Sequence, residues 1–239
     1  NVDILFTAPT AFRAIKRSDP VGKFIKKHDT SSLKTLFLAG ERADSDTINW
    51  ASNKLKVPVI DHWWQPETGF PMVGCPQGLN SAPVKIGTAG LAMPGFDVKV
   101  LDEGSRTSGT NELGSIVVKL PLPPGTLPTL WNADDRFKQS YLSRFPGYYD
   151  TGDAGFIDSD GYISIMARTD DVINTAGHRL STGAMEEVLS EHPDVAECAV
   201  IGVNDDLKGQ LPLGFICLNA GVNRNHEEII AESISLVRD

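Results

Sequence analysis

The stretch Val57-Pro58-Val59-Ile60, followed by Asp61-His62-Trp63-Trp64-Gln65-Pro66-Glu67-Thr68-Gly69, decides how this chain is read. The apolar run is a short buried strand by its composition. The loop after it is an improbable one to leave on a surface. Trp is costly to expose and is normally given a pocket, or a partner for its ring N–H. The amide, carboxylate and hydroxyl that follow are of the kind that hold phosphate oxygens or a metal. Apolar wall, strand exit and polar cluster together predict a small-molecule site at the carboxyl end of a sheet strand.

Upstream, the pattern repeats. Ile4 to Phe6 reads as a strand, Thr10 to Arg17 as a helix, Leu36 to Ala39 as a second buried strand, and Asp46 to Leu55 as a helix before the strand Val57 to Ile60. That alternation predicts a parallel sheet with covering helices. From about Val84 to Ile165 the runs shorten, with Val98 to Leu101, Ser115 to Lys119 and Gly155 to Ile157 separated by Gly, Pro, Ser and Asp. This spacing predicts a β-barrel-like or sandwich-like subdomain. Asp158-Ser159-Asp160-Gly161 is a hairpin turn leading to Tyr162 to Ile165, because a calcium loop counted back from Gly161 would put Phe156 at its first ligand position. After Arg168 a third pattern begins. Thr182 is expected to cap a helix over Gly183 to His192, with strands over Val195 to Val203 and Leu213 to Leu218 and a helix from Glu227. The expected division is 1–83, 84–167, a hinge at 168–171, and an incomplete domain over 172–239.

Composition narrows the class. The 239 residues carry 22 basic against 31 acidic side chains, a net charge of −9, which argues against nucleic acid as the main partner. No apolar run approaches the length of a membrane span. The three cysteines, Cys75, Cys198 and Cys217, fit no zinc pattern and read as small apolar residues in a reducing, intracellular compartment, cytoplasmic or mitochondrial. The chain opens on Asn1 with a strand under way and stops at Asp239 inside an amphipathic pattern, so a piece of a longer protein is expected. Oligomeric state is not legible.

Three further segments stand at fixed spacing from the opening loop: Gly40-Glu41-Arg42; Tyr148-Tyr149-Asp150-Thr151-Gly152-Asp153; and Arg168-Thr169-Asp170-Asp171 through Gly177-His178-Arg179 to Glu186-Glu187. Together with the loop, and in this order, they resemble the adenylate-forming acyl-CoA synthetases. The resemblance is strongest to the acetyl- and propionyl-CoA synthetases, including the short-chain member 3 type, and runs from Thr7 to Gln210. It implies the C-terminal part of a large α/β adenylation domain with its β-barrel-like subdomain, and the start of a small α+β domain. It also implies a two-step reaction. ATP and a short carboxylic acid give an acyl-adenylate and pyrophosphate, and the thiol of coenzyme A then displaces AMP.

The same resemblance assigns roles. Asp61 faces the adenine amino group, and Gly40 and Glu41 pack against the adenine. His62, Trp63, Gln65 and Thr68 belong to the nucleotide-side loop. Asp153 takes the ribose hydroxyls, Arg168 also reaches the nucleotide, and Arg179 faces phosphate. Glu67 is associated with Mg²⁺. Gly177 lies along the pantetheine arm of CoA, Asp170 is the hinge, and Trp64 closes the acyl pocket. Ala39 stands where acetate-specific members tend to have Val, which favours propionate over acetate.

Two departures bear on activity. The family's phosphate loop and C-terminal lysine are not in these residues. Pro66 replaces a Thr, removing a hydroxyl and a backbone donor. Two classes therefore stay open: a short-chain acyl-CoA synthetase, or a relative that binds nucleotide or a partner without turnover.

Overall fold

The computed structural model describes residues 2–79, 83–176 and 178–238. It contains two compact units, residues 1–151 with 155–165, and residues 152–154 with 166–239.

In the first unit, strands β1 (Ile4–Thr7), β2 (Thr35–Leu38) and β3 (Val59–Asp61) form a parallel sheet, with Leu5 opposite Leu36 and Leu36 opposite Val59. The connections are helices α1 (Pro9–Ser18) and α2 (Ser45–Leu55), as parallel pairing requires. Pro9 opens α1, where its missing N–H has no intrahelical role, and Lys16 and Arg17 close it, complementing the helix dipole. Asp44 caps α2 by accepting from the Thr47 amide at 2.7 Å, and α2 ends on the left-handed Lys56. Leu36, Leu38, Ile48, Ala51 and Val59 form the core under these helices.

The polar loop after β3 turns back through β4 (Val73–Gly74) and β5 (Leu91–Ala92), an antiparallel pair. Strands β6 (Val98–Leu101), β7 (Gly114–Lys119), β8 (Tyr148–Ile157) and β9 (Ile163–Arg168) follow as a four-stranded sheet in that order. Alternation along them buries Val98, Val100, Ile116, Val118 and Tyr149 in one cluster with Met72 and Val73. Between β7 and β8 lies a helix that the sequence reading did not predict, α3 (Asp134–Tyr141).

The second unit contains β10 (Ile173–Thr175), β11 (His178–Leu180), α4 (Thr182–Ser190), β12 (Val195–Asp205), β13 (Gly209–Leu218) and α5 (His226–Arg238). Its sheet order is β11-β10-β13-β12, and Ile173, Leu189 and Val200 make its core. Two expectations need correcting. The cap of α4 is Ser181, whose hydroxyl accepts from the Ala184 amide at 3.1 Å, while Thr182 is already helical. The strand expected from Leu213 begins at Gly209, because pairing with β12 continues past Pro212 to Leu211 opposite Val203 and Gln210 opposite Asn204.

Candidate active site

The loop after β3 is built as a bend, a bridge and a short turn. The His62 amide donates to the Leu38 carbonyl at 3.1 Å, carrying the sheet pattern one residue beyond Asp61. Trp63 makes an antiparallel bridge with Val73 and packs against the β-rich core, while Trp64 on the opposite side is 38% exposed. Strand alternation explains the split, one ring inward and the next outward. Pro66 to Thr68 form a 3₁₀ turn. The buried Thr68 hydroxyl accepts from the Gln65 amide at 3.2 Å and shares its proton between the carbonyls of Gln65 (2.9 Å) and Phe70 (3.0 Å). Thr68 therefore spends its hydroxyl on the turn itself.

Asp61 sits at the mouth of the sheet, where burial pushes its carboxyl up to about 7, against weaker opposing help from the amides of Ala43 and His62 and from the Arg42 charge. His62 is buried between the edges of Phe6 and Phe37, each ring centroid 5.4 Å away, and its Nδ1 has no hydrogen-bond partner among the described residues. Burial lowers its affinity for a proton, so the imidazole is held toward its neutral form.

The loop after β2 lies beside them. Ala39 is 4% exposed. Gly40 has φ +100°, a conformation that L side chains rarely adopt, and the space a Cβ would fill there is open. Glu41 turns its side chain to the start of α1. It accepts from the Thr10 amide at 2.8 Å and from the Thr10 hydroxyl, and pairs with Arg13 at 2.5 Å. Arg13 also reaches Asp44 at 3.3 Å, so one guanidinium ties both ends of the loop. Burial alone would raise the Glu41 carboxyl, but the Thr10 bonds and the Arg13 charge outweigh it and hold it below the usual range. Thr10 and Arg13 were not singled out in the sequence; the i, i+3 pair on a helix facing a later Glu offers no local signal.

Glu67 accepts from the Tyr141 hydroxyl at 2.9 Å. Among the described residues no group of three or more His, Cys, Asp or Glu could hold a metal alone. A single carboxylate suits Mg²⁺, which is commonly held by one or two carboxylates plus phosphate oxygens and water.

In the second unit the structure brings Asp153, Arg168 and Asp170 together. Arg168 reaches Asp153 at 3.4 Å and Asp170 at 3.7 Å. Gly152, at φ +68°, makes that possible, since a Cβ there would come within 2.6 Å of Arg168 Nη2. Asp170 is exposed, in a turn closed by the Asp171 amide donating to the Arg168 carbonyl at 3.0 Å. Arg179 lies on β11 opposite Asn174, and its buried Nε has no hydrogen-bond partner among the described residues. Gly177 lies outside the described residues. A cavity of about 400 Å³ beside Asn49, Asn53, Pro58 and Ile86 is lined by none of the predicted site residues.

Open space at Gly40, the Asp61 carboxyl at a strand end and the Glu67 carboxylate on a short turn thus lie on the loops that follow β2 and β3. Residues 1–125 match the model of the family described as AMP-binding enzyme, and residues 184–239 match that of the AMP-binding enzyme C-terminal domain. The chain belongs to the AMP-binding enzyme family. It is 48% identical over 238 residues to human (Homo sapiens) acyl-CoA synthetase short-chain family member 3, mitochondrial, covering 99% of this chain and 35% of that protein. It is 49% identical over 217 residues to the propionate–CoA ligase of Escherichia coli (strain K12), covering 90% of this chain and 34% of that protein. The chain thus spans about a third of the length of these relatives. Its fold matches the crystal structure of the anthranilate CoA ligase AuaEII in complex with anthranoyl-AMP, with a TM-score of 0.80, 24% identity, and coverage of 99% of this chain and 43% of that one. Among the described residues no helix is long and apolar enough to cross a membrane.

Proposed function

We propose that this chain is part of a short-chain acyl-CoA synthetase that activates a small carboxylic acid with ATP and passes the acyl group to coenzyme A. The observation that carries this reading is the pairing of two loops at adjacent strand ends of the first unit. One is Gly40-Glu41, with an open face at Gly40; the other runs from Asp61 to Glu67. Near-even identity to a short-chain acyl-CoA synthetase and to a propionate–CoA ligase supports the reaction class.

In this reading Asp61 accepts from the adenine amino group, and the strand end around Gly40 and Glu41 forms the adenine wall. His62, Trp63, Gln65 and Thr68 shape the loop, the last two through its turn. Asp153 takes the ribose hydroxyls, helped by Arg168. Arg179 meets the charge that develops on the phosphates, and Glu67 would hold Mg²⁺, which would supply further positive charge there. Adenylation is then chiefly positioning and electrostatic stabilisation. Trp64 closes the acyl pocket and Ala39 leaves room for propionate. Gly177 lies along CoA, and Asp170, within 168–171, is the hinge between half-reactions. The boundaries 1–83, 84–167 and 172–239 belong to the same proposal, as does an intracellular site of action.

Carboxylate-dependent pyrophosphate release by the full-length protein, with a panel of short acids, tests the reading. Release with propionate and acetate, propionate preferred, is expected. No release with any acid would favour the class that binds without turnover, to which the replacement at Pro66 points.

A further inference from the structure

Glu67 is held from outside its own loop. Tyr141, the last residue of α3, donates its hydroxyl to Glu67 Oε1 at 2.9 Å across 74 residues of sequence. Its ring is itself fixed: it stacks on Tyr149 with centroids 5.4 Å apart and planes 8° from parallel, and meets Phe137 at 5.4 Å. Tyr149 is 1% exposed and donates to Gln65 Oε1 at 3.0 Å, while Gln65 Nε2 donates to the Thr151 carbonyl at 2.6 Å. The Leu127 amide donates to the Glu67 carbonyl at 2.7 Å. The turn carrying Glu67 is thus anchored to α3, to β8 and to the loop before α3, while its own hydroxyl is internally satisfied.

We infer that Tyr141 is the positioning residue for the Glu67 carboxylate. A hydroxyl bound to Oε1 fixes the rotamer and leaves Oε2 to meet a cation. Tyr149 is the platform that keeps the Tyr141 ring from turning. Both tyrosines are satisfied by the turn, which explains why bulky hydroxyl-bearing rings, rather than Phe, occupy a stacked pair next to the apolar core. The inference rests on Glu67 serving the metal–phosphate side, and outer-shell partners of such carboxylates typically matter about 10- to 100-fold in metal affinity or activity.

Tyr141→Phe removes one oxygen and keeps the stacked ring. In the full-length protein, Y141F and E67Q are compared with wild type by Mn²⁺ titration in the presence of ATP, and by the KM values for Mg²⁺ and for propionate. Y141F is expected to weaken Mn²⁺ binding and raise the KM for Mg²⁺ by about 10-fold, with the KM for propionate changed by less than about twofold. E67Q is expected to do the same or more. If E67Q weakens metal binding and Y141F does not, the inference is overturned while the Glu67 assignment stands. If neither variant changes it, the Glu67 assignment itself falls. A Y141F protein that melts earlier and loses all parameters in parallel has lost only a structural contact, and that too refutes positioning.

Discussion

Asp61 gives the chain a pH dependence of stability whose sign runs opposite to the usual carboxylate. Burial lifts its pKa from 3.8 to about 7. Below pH 3.8 the group is protonated in both folded and unfolded states and costs nothing. Between there and about pH 7 the unfolded chain ionises while the folded one keeps its proton, so stability falls as pH rises. Above 7 both are ionised and the full penalty remains. The interval of about three pH units, at 1.36 kcal/mol for each, bounds the effect at about 4 kcal/mol. Asp61→Asn keeps the shape and removes the titration. All four tryptophans (Trp50, Trp63, Trp64 and Trp131) lie in the first unit, so their fluorescence reports that unit's unfolding. Urea titrations of wild type and D61N at pH 5.0 and 8.5 give the comparison, sampling about two of those pH units and so about 3 kcal/mol at most. D61N should gain stability relative to wild type between the two pH values, while depressed groups such as Glu41 and Asp44 cancel because both proteins share them. An equal stability difference at both pH values refutes the argument. The proposed adenine contact adds a corollary: an ionised Asp61 is the better acceptor, so AMP should bind more weakly at pH 6 than at pH 8 in wild type.

Two further outcomes follow from close packing. Ala39→Val fills the buried position at the end of β2 and should move the ratio of kcat/KM for propionate over acetate toward acetate by roughly 5-fold, about 1 kcal/mol for a methylene in an apolar pocket; an unchanged ratio removes Ala39 from the acyl wall. Gly152→Ala puts a Cβ within 2.6 Å of Arg168 Nη2 at a φ of +68°. It should cost about 1 kcal/mol in stability and weaken AMP binding as much as Arg168→Ala does. A G152A protein that binds AMP like wild type would separate Arg168 from the nucleotide.

Much of the architecture was legible because the local signals agree. The first three strands and two helices are found within two residues of where periodicity puts them, since Pro9, Asp44 and the apolar runs all point the same way. The family, too, follows from four short segments, and both family models match the chain. Helix α3 escaped because only Phe137 and Tyr141 mark its buried face, and Ala133 offers no side-chain cap. The extension of β13 across Pro212 escaped because proline usually demotes a strand, and only the long partner β12 carries the pairing past it. At the site, residue types were legible but partners were not. Nothing near Glu67 in sequence announces Tyr141, and nothing near Glu41 announces Arg13.

Pro66 shows how such partners change the reading of a single residue. In sequence it is a loss, a hydroxyl and an amide removed from a loop expected to face phosphate. In the fold it is the first residue of the 3₁₀ turn, where the fixed φ of proline is already suitable and the absent N–H is one the turn does not need. The hydroxyl that the turn does use comes from Thr68, and it is committed to Gln65 and Phe70. The turn is then pinned by Tyr141, Tyr149 and the Leu127 amide. If Glu67 takes the proposed cation, a residue that stiffens this turn reduces the conformational freedom lost on binding, so Pro66 trades a donor for preorganisation. In the proposed assignment, the consequence of that trade falls on Glu67. The carboxylate is still present on the turn and accepts from Tyr141, so under that proposal the replacement at Pro66 weighs less against catalysis in the fold than it does in the sequence.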